Sequence, residues 1–197
     1  MNLLHTDSKS SGETLAHQRA SLHSARSSAL PQLLGIEEQH TLRLAGLRTR
    51  IHGLPYEVIP TCWDTFSPYR GWLPTQVDRR SYGVLLEAEG NEGGFDYFTA
   101  VEVENFDTLN SDWDRLEIPA QRYAVFPHKD HVSTLRETLH SIFSHSLPTL
   151  NLDPLRHAPG VPLVLERYEA SFDLTTGWGG IQVRVPLSAR TRDPGHR

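Results

Sequence analysis

The clearest alternation of apolar and polar side chains lies in residues 95–104, FDYFTAVEVE. Its aromatic and β-branched residues favour a β-strand, in which successive side chains point to opposite faces. The two faces would carry Tyr97, Thr99, Val101 and Val103, and Phe98, Ala100, Glu102 and Glu104. A glutamate in the middle of a strand is costly to bury alone. The pattern therefore predicts a partner for Glu102, which is an internal arginine, a backbone donor or a bound cation.

Similar patterns on both sides of this stretch predict an α+β domain in which the order strand, helix, strand, strand occurs twice. The first half has strands at 40–51, 82–88 and 95–104, and a helix at 57–69 whose first turn contains Pro60. The second half has strands at 119–128, 162–169 and 180–187, and an amphipathic helix at 131–144. We expect one domain at 39–188, with βαββ halves at about 40–105 and 117–188 and a ligand groove at their seam.

The ends of the chain and one internal loop are polar. Residues 1–38 are rich in Ser, His and Thr and have few apolar anchors, so we interpret them as a flexible leader. A short helix at 13–27, docking a partner or a second subunit, is the alternative. Residues 89–94 are predicted to form a hairpin loop between two strands, and 189–197 a polar tail.

Composition narrows the function classes. The chain has 197 residues, a net charge of −5 and no basic run, which argues against direct binding of nucleic acid. Its only cysteine, Cys62, excludes an intrachain disulfide. No apolar run approaches the roughly 20 residues that span a membrane, and no signal peptide is recognisable. A cytoplasmic protein without a membrane partner is the simplest interpretation.

Three blocks carry a resemblance to a known family: FDYFTAVEV at 95–103, IPAQRYAVFPH at 118–128 and LERY at 165–168. Together they resemble the GyrI-like effector-binding domains, which occur at the C-termini of Rob-like AraC-type and BmrR-like MerR-type regulators and as stand-alone proteins. The resemblance implies a duplicated βαββ fold of SHS2 type, a pseudo-twofold antiparallel sheet and a central cleft. The leader is too short and too polar for a helix-turn-helix domain, so we expect the stand-alone form.

The resemblance also implies a site. In the family the cleft binds hydrophobic, often cationic, small molecules, and the glutamate at its floor matches Glu102. The last block places Glu166 and Tyr168 in the cleft. This chain departs from the family at Gln121, where glycine is common, and at Ser146, where the second helix often ends in Trp-Leu-Pro.

The candidate ligand-binding residues are two carboxylates and the available aromatic rings: Glu102, Glu166, Trp63, Phe66, Tyr82, Phe98, Tyr168 and Trp178. Each ring is also suited to a packed core. Glu102 could instead pair with Arg48 or Arg122, and the Glu166–Tyr168 pair could be a structural hydrogen bond. The histidine pairs 128/131 and 140/145 lack further ligands at a suitable spacing, so neither a metal nor a cofactor is predicted.

Three hypotheses for the function follow. The first is a non-enzymatic binding protein that captures amphipathic cations, drugs included, for sensing or sequestration, alone or together with a transcription regulator. The second is a hydrolase of reactive cyclopropane-type molecules, in which Glu102 or Glu166 positions water and Tyr168 is the acid. The third, by family analogy, is a protein-binding module of gyrase-inhibitor type. A protein partner or a homodimer remains open in each.

Overall fold

The computed structural model describes residues 30–88 and 94–189, and within them eight strands form one antiparallel sheet. The α+β class predicted from the sequence is confirmed. The elements in chain order are β1 (Gly35–Gln39), β2 (Leu42–Ile51), α1 (Pro55–Phe66), β3 (Ser81–Glu87), β4 (Phe95–Glu102), β5 (Asp114–Ile118), β6 (Gln121–His128), α2 (Leu135–Ser141), α3 (Leu147–Thr149), β7 (Val164–Tyr168) and β8 (Ile181–Pro186). Short 3₁₀ turns at Ser67–Tyr69 and Val132–Thr134 flank α1 and α2, and a π-helical turn, Ile142–Ser146, joins α2 to α3.

The sheet is strongly curved, and its connectivity shows why. The strand order is β1-β6-β8-β7-β3-β4-β2-β5, so β1 and β2 lie six strand spacings apart, about 29 Å in a flat sheet. Only residues 40 and 41 join them, and three Cα steps reach about 11 Å at most. Strands β5 and β6 are six spacings apart with a link of the same length. Both links can close only if the two edges of the sheet bend towards each other.

The two faces of the sheet carry separate hydrophobic cores. The face under the helices packs Tyr97 and Val101 against α1 and α2. The other face holds a helix-free cluster drawn from six strands, Phe98 and Ala100 of β4 among its members. Because this second cluster joins strands far apart in the sheet order, it lies on the inside of the curve. The alternation predicted for residues 95–104 is therefore confirmed.

Helix α1 begins earlier than predicted, and this corrects the placement of Pro60. Pro55 occupies the first turn, where a missing N–H leaves no hydrogen bond unmade, and Pro60 lies inside the helix. The helix ends at Phe66 and continues as the 3₁₀ turn. The second predicted helix is divided into three helical segments after a 3₁₀ turn.

Strands β1 and β5 were not predicted, and β1 begins within the stretch 1–38 that was interpreted as a leader. Both are short edge strands, GIEEQ and DRLEI. β1 has one apolar side chain, and β5 has only the alternating pair Leu116 and Ile118, which is too short a pattern to predict a strand. Strand β1 pairs with β6 along all five of its residues, and Arg184 Nη2 lies 2.8 Å from Glu37 Oε2. The predicted helix at 13–27, most of the 89–94 loop and most of the tail lie outside the described residues.

The two departures from the family pattern have structural roles. Ser146 is buried, and its hydroxyl donates to the carbonyl of Pro31 at 3.1 Å. Gln121 Nε2 donates to the carbonyl of Leu187 at 3.0 Å. Both side chains thus hydrogen-bond to the backbone of a segment that is distant in sequence but adjacent in the fold.

Candidate functional site

A cleft of about 830 Å³ opens on the helical face of the sheet. Helix α1 forms one wall, the segment from Val132 to Leu139 forms another, and strands β3, β4 and β7 form the floor. Phe172 and Leu174, from the β7–β8 connection, complete the lining. The volume lies within the range of about 300–1,000 Å³ that is usual for small-molecule sites.

Neighbouring strands bring three polar side chains together at the floor. Glu166 and Tyr168 are two residues apart on β7, so both point to the helical face. Tyr97 reaches the same point from β4 across Gly83 of β3, which pairs with Glu166. A Cβ atom at Gly83 would collide with the phenol oxygen of Tyr97 and lie 2.5 Å from Glu166 Oε2. The absence of a side chain at Gly83 therefore makes room for the cluster.

The cluster is a directed chain of hydrogen bonds. Trp63 Nε1 donates to Tyr97 Oη at 3.1 Å, and Tyr97 Oη donates to Glu166 Oε2 at 2.7 Å. Tyr168 Oη donates to the same carboxylate oxygen at 3.0 Å. Edge-on ring contacts of 4.7 Å between Trp63 and Tyr168, and of 4.9 Å between Tyr168 and Phe172, extend the aromatic surface.

Burial dominates the electrostatics of the cluster. The residue Glu166 is 6% exposed, and burial raises the pKa of its carboxyl above the ordinary value, while the two phenol hydrogen bonds oppose that rise. Burial, together with the charge of Glu166, raises the pKa of Tyr97 and of Tyr168 well above that of a free phenol. Across 30–88 and 94–189, none of the ion pairs involves Glu166.

Two of the segments that line the cleft are joined to each other by hydrogen bonds. His131 Nε2 lies 3.1 Å from the carbonyl of Thr176, and the backbone N–H of Val132 donates to Gly177 at 2.9 Å. Asp173 orders the same turn by accepting from the Thr175 N–H at 2.8 Å, and such hydrogen bonds lower the pKa of Asp173. The Val132–Leu139 wall and the 172–178 turn are thus fastened to each other.

Three of the eight predicted ligand-binding residues line the cleft: Trp63, Glu166 and Tyr168. Phe66 is fully buried and does not line it, and Tyr82 and Phe98 belong to the core on the opposite face. Trp178 is 53% exposed and rests against the His131 ring, with ring centroids 5.5 Å apart.

The structure places Glu102 away from the cleft, which corrects its predicted position at the floor. Glu102 and Tyr97 are five residues apart on β4, an odd number, so their side chains point to opposite faces. Its partner is the Tyr82 hydroxyl, 3.1 Å from Oε2, rather than Arg48 or Arg122. Those two arginines pair with Asp96 and Glu38 instead.

Sequence reasoning missed two contributors to the polar cluster at the floor, Tyr97 and Gly83. The signal for Tyr97 was present, because it shares the strand face of Val101 and Val103, which the structure turns towards the helices. Gly83 could have been noted as a glycine inside an apolar strand, which often marks a close approach.

The described part of the chain has neither a cluster of metal-ligating side chains nor a membrane-spanning helix. No group of three metal-ligating side chains converges there. No helix in it has the length and apolar character needed to cross a membrane.

Comparison with known proteins places this fold among effector-binding domains. Residues 35–183 match the family Cass2, described as integron-associated effector binding protein. The transcriptional regulator BrlR of Pseudomonas aeruginosa is 32% identical over 101 residues, which are 51% of this chain and 37% of the regulator. The match thus spans little more than a third of the length of that relative.

Solved structures of similar fold cover most of the chain. SAV2435 bound to tetraphenylphosphonium gives a TM-score of 0.60 at 15% identity, over 83% of this chain and 98% of that one. The EcmrR C-terminal domain gives 0.56 at 14% identity, over 81% and 99%. An integron cassette protein from the mobile metagenome of Vibrio cholerae gives 0.53 at 14% identity, over 82% and 100%. At these identities the likeness establishes the fold.

Proposed function

The chain belongs to the Cass2 family of integron-associated effector-binding proteins, and we propose that its cleft captures amphipathic small molecules that carry a positive charge. The family match confirms the resemblance to GyrI-like effector-binding domains. The observation that carries the charge preference is Glu166, a carboxylate buried in an apolar cleft and absent from the ion pairs of the described residues.

Such a site should bind a cation more favourably than a neutral or anionic molecule of the same size. An ionised carboxylate that is removed from water loses its favourable hydration energy. Attraction to an opposite charge offsets this cost, because the attraction is strong where the local dielectric is low. The rings of Trp63, Tyr97 and Tyr168 line the cleft beside the carboxylate, and each ring face that a cation contacts would add about 0.5–2 kcal/mol of attraction. Apolar side chains such as Ile59 and Leu139 would bury the rest of the molecule. Anionic compounds would meet Glu166 as a like charge.

We propose further that the domain is two βαββ units related by a pseudo-twofold axis. Strands β2, β3 and β4 with α1 form one unit, and β6, β7 and β8 with α2 form the other. The central six strands follow the order β6-β8-β7-β3-β4-β2, which runs through equivalent strands from either end. The seam between β7 and β3 lies under the cleft, which supports a ligand site shared by both units.

The biological role that fits this site is effector sensing or sequestration. The likeness to BrlR supports a link to transcription control, and the structure of SAV2435 with tetraphenylphosphonium supports a lipophilic cation as the ligand. We expect neither direct contact with nucleic acid nor a cofactor.

A second candidate is the hydrolase, favoured by the Glu166–Tyr168 hydrogen bond inside the cleft. A carboxyl with a raised pKa can donate a proton while water adds to a strained ring. Incubation with an aromatic cyclopropane, followed by mass spectrometry, distinguishes the two. Gain of the mass of one water with multiple turnovers indicates the enzyme, and unchanged ligand indicates the binding protein.

The chain offers a matched pair of variants for testing the binding proposal. Glu166→Gln and Glu102→Gln each remove one carboxylate that accepts a tyrosine hydroxyl, but the two lie on opposite faces of the sheet. Calorimetric titration with an aromatic cation and its neutral carbon isostere should show charge-dependent binding to the wild type and to Glu102→Gln, and its loss in Glu166→Gln. Equal binding of the two compounds to the wild type would overturn the proposal, as would loss in Glu102→Gln alone.

A further inference from the structure

The hydrogen bonds at the floor of the cleft leave the two oxygens of Glu166 unequal. Trp63 Nε1 can only donate, so Tyr97 Oη accepts from it and directs its own proton to Glu166 Oε2. Tyr168 gives its single proton to the same atom. Oε2 therefore receives two O–H donors, and it is also the carboxylate oxygen nearest to Gly83.

Both phenols donate to Oε2, and neither of them donates to Oε1. Two other polar groups of the lining are engaged elsewhere: the Ser67 hydroxyl donates to the Trp63 carbonyl, and the Thr175 N–H donates to Asp173. The charged side chains of Asp64 and Arg136 also line the cleft. The Ser133 hydroxyl lies 2.8 Å from His131 Nδ1. An ionised carboxylate can accept about four hydrogen bonds, so the two phenols use about half of this capacity.

We infer that the cleft selects cations that carry an N–H group, protonated amines or amidines, over quaternary cations of the same size and charge. This inference rests on the proposed function and names the ligand subclass of the same site. The ligand N–H would donate to Glu166 Oε1, while the phenols of Tyr97 and Tyr168 keep Oε2 occupied.

The sign of the preference depends on whether Oε1 accepts. A quaternary cation has no N–H group, so it loses no N–H hydrogen bond to water when it binds. A cleft made of aromatic faces alone would therefore favour a quaternary cation over a protonated amine. A protonated amine loses a hydrogen bond to water when it enters the cleft, and it forms a new one only if the cleft offers an acceptor. An open carboxylate oxygen supplies that acceptor, and a charge-assisted hydrogen bond of this kind is about twice as strong as a neutral one. The measured preference between N–H cations and quaternary cations thus shows whether Oε1 accepts a hydrogen bond from the ligand.

Three probes with one aromatic tail test the inference by titration calorimetry on the wild-type protein at pH 7. They are 3-phenylpropyl-dimethylammonium with one N–H, its trimethylammonium counterpart, and the neutral tert-butyl isostere. We expect the dimethylammonium compound to bind about tenfold or more tightly than the trimethylammonium compound, which in turn binds more tightly than the neutral one. In a crystal structure of the first complex, the ligand nitrogen should lie within hydrogen-bond distance of Glu166 Oε1.

The outcomes separate the two proposals. If the trimethylammonium compound binds as tightly as the dimethylammonium compound or more tightly, and both exceed the neutral isostere, the N–H inference is overturned and the cation site stands. If neither charged compound exceeds the neutral isostere, the cation site itself fails. Because all three probes are compared on the unaltered chain, neither result depends on whether a variant folds.

Discussion

The indole N–H of Trp63 donates to the phenol oxygen of Tyr97 at 3.1 Å and so links helix α1 to the floor of the cleft. This contact links the wall of the cleft to the carboxylate of Glu166, because the Tyr97 hydroxyl donates a hydrogen bond to Glu166 Oε2. A change in the wall residue should therefore reach the carboxylate without touching it.

Replacing Trp63 by Phe tests that coupling. The change removes the donor and part of a ring that is 9% exposed, and we expect a loss of about 1–3 kcal/mol in the free energy of unfolding together with weaker cation binding. Trp72→Phe is the matched control, since Trp72 is 82% exposed and should change stability by less than about 0.5 kcal/mol. Urea denaturation and calorimetry measure both effects. Equal behaviour of the two variants would show that the Trp63–Tyr97 bond carries no coupling.

Gly83→Ala tests the space beneath the cluster. The added methyl group would displace Tyr97 and Glu166, and overpacking of this kind costs about 1–3 kcal/mol. Cation affinity should fall with it, because the displaced carboxylate loses its alignment with the rings. Gly35→Ala in β1 is the control, as a Cβ there meets no atom within 4 Å. Unchanged affinity in Gly83→Ala would show that the cluster can shift without loss of binding.

The strands could be predicted from the sequence more accurately than the site could, and the two glutamates show why. Both Glu102 and Glu166 lie on strands rich in apolar residues, and the period of two correctly separates the faces of each strand. Which face meets the helices depends on pairing between distant strands, as between Gly83 and Glu166, and no local pattern encodes that. The edge strands β1 and β5 escaped detection for a related reason, since pairing with a distant strand places β1, and the two buried side chains of β5 form too short a pattern.

The buried carboxyl makes stability depend on pH in a defined direction. Because the pKa of Glu166 is higher in the folded than in the unfolded chain, the folded state binds the extra proton between the two values. The contribution of Glu166 is therefore complete below the ordinary glutamate pKa and is lost as the pH rises through the folded value, by up to about 1.4 kcal/mol per pH unit.

Urea denaturation of the wild type and Glu166→Gln over pH 4–8, without ligand, measures this linkage. The other titrating groups cancel in the difference between the two proteins, so the stability of the wild type relative to the variant should fall with rising pH. Cation affinity should rise over the same interval, since ligand and proton compete for one carboxylate. A stability difference that grows with pH would mean that Glu166 is stabilised as an anion in the free protein.

The contact between His131 and the 172–178 turn should affect the rate at which ligands leave the cleft, because it joins two segments that line it. Gly177 has a φ of +69°, and a Cβ there would collide with His131 Nε2, so Gly177→Ala adds backbone strain and breaks the contact with Thr176. Gly71→Ala isolates the strain, because Gly71 has a φ of +86° and open space around it. We expect each variant to lose about 1 kcal/mol of stability through backbone strain. Gly177→Ala should lose more through the collision with His131, and it alone should release cations faster in stopped-flow experiments. Matching dissociation rates in the two variants would show that other contacts join the two segments, such as the hydrogen bond from the Val132 N–H to the Gly177 carbonyl.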